Sequence, residues 1–182
     1  MQIKEFLYLC ALIIVILATD GSDMKDKIIS TTVHIYRWDE LDEGQQELVN
    51  TAKQMTEQAY CPYSRFSVGA AARLKNGMIV KGSNQENAAY PSGLCAERTT
   101  LFAANANYPD QPVTSIAIAC RKPGGFTLMP GSPCGGCRQV MIETEHRYGE
   151  PMQVILYGER EIYVFDCASD LVPYGFFAED LA

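Results

Sequence analysis

Apolar residues recur at helical spacing behind Asp42. Leu41, Leu48, Ala52, Met55 and Ala59 fall on one face, which predicts a helix from Asp39 or Asp42 to about Tyr60, with either aspartate able to cap it. Cys61-Pro62-Tyr63 breaks that pattern. Phe66 to Leu74 then reads as a strand, Asn76-Gly77 as a two-residue hairpin turn, and Met78 to Gly82 as its antiparallel return. Ala96 to Asn105 has helical character, and Val113 to Cys120 is a short apolar run suited to a central strand. A Gly- and Pro-rich loop, Lys122 to Pro133, leads to a second such helix from Cys134 to about Arg147. Gln153 to Tyr157 and Glu161 to Phe165 are further strands, Ile28 to Trp38 is a lead-in strand, and a tail from Asp170 closes the chain. A hairpin followed by alternating helices and strands predicts one α/β domain with a mixed sheet.

Phe6 to Ala18 is an uninterrupted apolar run of thirteen residues behind Lys4. It falls short of the ~20 residues that span a bilayer, though it fits the apolar core of a signal peptide. Met24 opens a polar, globular-looking stretch. Residues 1–23 are therefore expected to be an extension, signal-like or a mis-assigned start, and residues 24–182 the working domain, with no stable membrane association. Seven cysteines, only Cys134 and Cys137 closely paired, suit a reducing compartment better than a disulfide framework, so a cytoplasmic location is expected, with export through the apolar segment as the minority reading. The net charge of -7 argues against nucleic acid as a partner, because phosphate binding draws on basic surface.

Two short segments carry chemistry: Cys95-Ala96-Glu97-Arg98 and Pro133-Cys134-Gly135-Gly136-Cys137-Arg138. Each lies where a loop becomes a helix, and a helix N-terminus favours the thiolates that zinc requires. Cys95, Cys134 and Cys137 can present three sulfurs to one Zn²⁺ and leave the fourth tetrahedral position open, as catalytic rather than structural sites do. Glu97 is two residues from a ligand and suited to moving protons. Arg98 and Arg138 are expected to donate to the sulfurs and offset the net charge of about -1 that three thiolates and Zn²⁺ carry. A lone CxxC would fit a structural zinc or a redox pair equally; the combination with the Cys-Ala-Glu segment points to a hydrolytic deaminase.

These segments, with Pro62 to Ala71 (PYSRFSVGAA), Gly82 to Tyr90 (GSNQENAAY) and Ser132 to Gln139, resemble the small homotetrameric cytidine deaminases over roughly Leu48 to Phe176. The resemblance implies a three-layer α/β/α fold with a mixed, roughly five-stranded sheet, and one zinc per subunit. It implies conversion of cytidine and 2′-deoxycytidine, small-molecule nucleosides, to the uridine product and ammonia, as in pyrimidine salvage. It also implies Asn84 and Glu86 at the ribose, Phe66 near the pyrimidine, the Ala96 backbone at the base, and Phe176 reaching into a neighbouring subunit's site, hence a homotetramer with shared active sites. Rival expectations are a deaminase of a nucleoside-like antibiotic such as blasticidin S, a polynucleotide or tRNA deaminase, and a zinc-stabilised binding module without catalysis.

Overall fold

Seven strands and three helices build the domain in a computed structural model that describes residues 25–181; the extension at residues 1–23 lies outside them. In chain order the strands are β1 (His34–Tyr36), β2 (Ser67–Leu74), β3 (Ile79–Ser83), β4 (Val113–Lys122), β5 (Gly125–Phe126), β6 (Gln153–Tyr157) and β7 (Ile162–Phe165). The helices are α1 (Glu43–Met55), α2 (Ala96–Asn107) and α3 (Gly135–Tyr148). The sheet runs β1-β7-β6-β4-β2-β3, with β5 folded back on β4. Only β4 and β6 pair in parallel, with Ile116 opposite Val154; the other pairs are antiparallel, so the sheet is mixed as expected.

Local signals explain most boundaries. Asp42 caps α1 in a reciprocal box, its carboxylate accepting from the Gln45 amide at 2.7 Å while the Gln45 side chain accepts from the Asp42 amide. The hairpin at Asn76-Gly77 forms with Gly77 at φ 88°, a conformation open to glycine at little steric cost. The helix predicted to reach Tyr60 ends at Met55 and tightens into a 3-10 turn at Thr56–Gln58. There the Thr56 hydroxyl donates to the Lys53 carbonyl, and the Gln58 carbonyl accepts from the Ser83 hydroxyl of β3.

The sheet has seven strands rather than about five. The two short ones account for the difference: β1 pairs with β7 through three residues, and β5 is a two-residue hairpin on β4. The lead-in strand expected over Ile28 to Trp38 shrinks to His34–Tyr36, because only those residues face Ile162 to Val164 of β7.

Alternation along the strands divides the core in two. Ala70, Ala72, Ile116 and Ile118 face α2 and α3, together with Leu101, Met141 and Ile142. Ala71, Ala117, Ala119 and Ile155 face the other way, against Leu48, Val49 and Ala52 of α1. The result is the expected three-layer α/β/α arrangement, in which each fully buried Leu or Ile contributes about 1.5–3 kcal/mol by leaving water. No helix among the described residues is long and apolar enough to cross a membrane.

Candidate active site

Helices α2 and α3 pack side by side and start at the same end of the sheet, with Cys95 and Cys134 as their N-cap residues and Cys137 in the first turn of α3. The Cys134 sulfur is 3.9 Å from that of Cys95 and 3.4 Å from that of Cys137, and all three sulfurs lie within 4.8 Å of one another. Zinc–sulfur bonds of about 2.3 Å at tetrahedral angles require sulfurs about 3.8 Å apart, so the three side chains fit one Zn²⁺ with little movement. Hydrogen bonding from Cys137 chiefly, then from Arg98, lowers the Cys95 thiol to about 5, so that one ligand is already a thiolate at neutral pH; burial opposes the shift. The Cys137 thiol is pushed upward in return, chiefly by Cys95 and then by burial.

The two arginines separate. The Nη2 of Arg98 lies 3.8 Å from the Cys95 sulfur, while its buried Nε has no partner among the described residues. That placement sets a cation beside the sulfur cluster. Arg138 does not donate to the sulfurs. Its Nε donates to the Pro133 carbonyl at 2.9 Å and its Nη1 to the Leu171 carbonyl at 3.2 Å, because its side chain runs between the metal-binding turn and the C-terminal tail.

Glu97, only 5% exposed, opens onto the same cleft as Cys95 and Cys134. Burial raises its pKa above the ordinary carboxylate value, and the nearby Cys95 thiolate pushes in the same direction. A raised pKa makes this carboxyl a stronger proton acceptor than an ordinary carboxylate, which suits it to proton transfer.

The cleft has a volume of about 740 Å³, large enough for a nucleoside-sized molecule. Phe66, Asn84 and Glu86 line it. Asn84 is partly committed to the fold: its Oδ1 accepts from the Val68 amide at 2.8 Å and its Nδ2 donates to the Phe66 carbonyl at 2.9 Å. An amide has two acceptor and two donor positions, so each atom keeps one in reserve. Glu86 Oε2 accepts from the amides of Tyr63 and Ser64, leaving Oε1. The Ser64 side chain chiefly, with those amides, holds Glu86 below the ordinary carboxylate range against the opposing push of burial.

Two expected contacts are not on the wall of this cleft. Ala96 is wholly buried, because its methyl group joins the core beneath the metal-binding turns. Phe176 is 55% exposed and lies outside the cleft of its own chain, its carbonyl accepting from the Gln139 amide nitrogen at 2.7 Å. Cys120 and Gly131, in turn, are wall residues that sequence reasoning left as an isolated cysteine and a loop position. No local pattern marks them, since their adjacency is made by the fold: a Cβ at Gly131 would run into the Cys120 sulfur.

A family model for the cytidine and deoxycytidylate deaminase zinc-binding region matches residues 42–148. A cytidine deaminase of Halalkalibacterium halodurans is 42% identical over 137 residues, covering 75% of this chain and 96% of that protein. The chain belongs to the cytidine deaminase family. A further member, from Sporosarcina psychrophila, is 34% identical over 145 residues, 75% of this chain and 94% of its own. The crystal structure of the cytidine deaminase from Burkholderia pseudomallei superposes with a TM-score of 0.62 at 41% identity, covering 71% of this chain and 97% of that one. The matched zinc-binding region contains Cys95, Cys134 and Cys137, whose sulfurs form the cluster described above. Zinc is thus the metal of this site.

Proposed function

We propose that this chain hydrolyses cytidine and 2′-deoxycytidine to uridine and 2′-deoxyuridine, releasing ammonia. The observation that carries the reading is Glu97, a buried carboxyl with a raised pKa that shares one cleft with Cys95 and Cys134, two of the three convergent thiols. A purely structural zinc site has no use for such a group. When bound, the zinc ion supplies a Lewis acid that makes water a competent nucleophile at neutral pH. Glu97 takes a proton from the attacking water, delivers it to the pyrimidine ring nitrogen, and carries a second proton to the departing ammonia. Arg98 keeps the sulfur cluster from becoming too electron-rich by lying beside Cys95.

The remaining contacts divide the substrate between them. The spare donor and acceptor of Asn84 and the free oxygen of Glu86 suit a ribose hydroxyl, which both donates and accepts. Phe66 offers an apolar wall for the pyrimidine. Phe176, exposed on its own chain, is offered to a neighbouring subunit's cleft, so the working form is a homotetramer with shared sites. The catalytic domain is residues 24–182, and the three reduced sulfurs it depends on suit the cytoplasm.

A deaminase of a nucleoside-like antibiotic is not favoured, because the relatives sharing most of this chain are named cytidine deaminases. Turnover of cytidine, 2′-deoxycytidine, blasticidin S and a cytosine-containing oligonucleotide, measured side by side, tests the substrate assignment. The two nucleosides are expected to be deaminated at least a hundredfold faster than the others; preference for either of the others would reassign the cleft.

A further inference from the structure

Strands β2 and β4, and the turn that leads into β2, separate two clefts. Successive side chains of extended backbone point to opposite faces, and Ser64, Phe66 and Val68 face the substrate cleft together with Ile118 and Cys120. Arg65, Ser67, Arg121 and Lys122 line a second cleft of about 710 Å³ that shares no lining residue with the first. Three cations thus converge on one hollow of a chain whose net charge is -7. The one acid there, Glu57, lies 3.9 Å from Arg121. Neither Arg65 nor Lys122 has a carboxylate partner among the described residues; Lys122 is placed 5.8 Å above the Phe66 ring.

Two backbone features support the same reading. Arg65 has φ 55°, the only positive value among the described non-glycine residues, in a region a long side chain seldom occupies. That conformation belongs to the residue that faces the second cleft between two neighbours, Ser64 and Phe66, that face the first. Gly124, on the rim, has φ 106° and open space where a side chain would stand, so a ligand can approach its backbone closely.

We infer that this second cleft binds a phosphate-bearing small molecule carrying two or more negative charges. Two forked guanidinium groups and an ammonium ion match the oxygens of phosphate groups, and the local excess of positive charge stands out against an acidic surface. The inference is independent of the deamination reading, because it uses no residue of that site.

Calorimetric titration of the zinc-loaded full chain with pyrophosphate, its substrate cleft saturated with uridine, tests the assignment. Zinc is counted before and after, so that chelation is recognised. Sub-millimolar binding is expected at low salt, weakened tenfold or more in the double variant Arg121→Gln/Lys122→Gln. Arg65→Asn, which tolerates the same backbone conformation, is expected to weaken it similarly. Absence of binding, heat that tracks zinc loss, or unchanged affinity in both variants would overturn the inference. Tighter binding of a ten-nucleotide single strand than of pyrophosphate would overturn it too, assigning the cations to nucleic acid.

Discussion

Arg138 is bonded to the residue that precedes the metal-binding turn: its Nε donates to the Pro133 carbonyl at 2.9 Å, and its other arm reaches the Leu171 carbonyl at 3.2 Å. One guanidinium therefore fixes the approach to Cys134 and the start of the tail that carries Phe176. Arg138→Ala leaves both carbonyls without this partner and is expected to cost about 2–3 kcal/mol of unfolding free energy. Zinc affinity is expected to fall tenfold or more, since the Cys134 turn loses its brace. Arg138→Lys, with one point charge in place of a fork, should recover only part of either. Denaturant unfolding and zinc competition with a chromophoric chelator measure both, and unaltered zinc affinity in the alanine variant would show that the brace does not serve the metal.

Glu97 can be tested without disturbing the fold. Glu97→Gln preserves shape and places a neutral group where burial already disfavours charge. Zinc content and melting temperature are expected to stay within error of the parent, while kcat falls by about 10²–10⁴-fold. Metal analysis and the fall in cytidine absorbance give the two readings. A variant with more than a tenth of parental kcat would remove Glu97 from the proton path.

The cysteines are predicted to differ sharply in the zinc-free protein. Cys95 is lowered from 9.0 to about 5, chiefly by the Cys137 thiol, so its contribution to stability is complete above pH 9 and lost as pH falls through 5. Cys120 is raised from 9.0 to about 12, chiefly by burial, so its contribution has the opposite sign: complete below pH 9 and lost as pH rises towards 12. Iodoacetamide, with mass-spectrometric readout after chelation, should modify Cys95 with a rate that titrates near pH 5 and leave Cys120 untouched at pH 8. Equal labelling of the two would contradict this ordering.

Much of this was legible in residue order because the signals are local. Asp42 with Gln45, Asn76 with Gly77, and the cysteines at the starts of α2 and α3 each act within a few positions, so the sequence pattern and the structure agree. The disagreements involve long-range partners. Arg138 was expected at the sulfurs, but the Leu171 carbonyl, 33 residues away, competes for its guanidinium. Ile28 to Trp38 has strand character throughout, yet a strand needs a neighbour, and β7 supplies one for only three residues. The wall position of Cys120 arises from the antiparallel pairing of β4 with β2, which no local motif encodes.

Gly131 and Cys120 form a pair whose energetics can be isolated. A methyl group at Gly131 meets the Cys120 sulfur, so Gly131→Ala is expected to cost about 1–3 kcal/mol through overpacking and to lower kcat/KM by narrowing the cleft. Cys120→Ala opens the space that the methyl group needs. The double variant should therefore recover most of the lost stability, a coupling that denaturant unfolding of all four proteins resolves. Strictly additive losses would mean that the methyl group is accommodated elsewhere.

The assignment as a zinc-dependent nucleoside deaminase rests most directly on cytidine turnover by purified protein whose metal content is known. With one zinc per chain, cytidine should disappear with equimolar appearance of uridine and ammonia. A chelator should abolish the reaction, and added zinc should restore it. Protein that carries one zinc per chain, is folded, and leaves both cytidine and 2′-deoxycytidine unchanged would contradict the account.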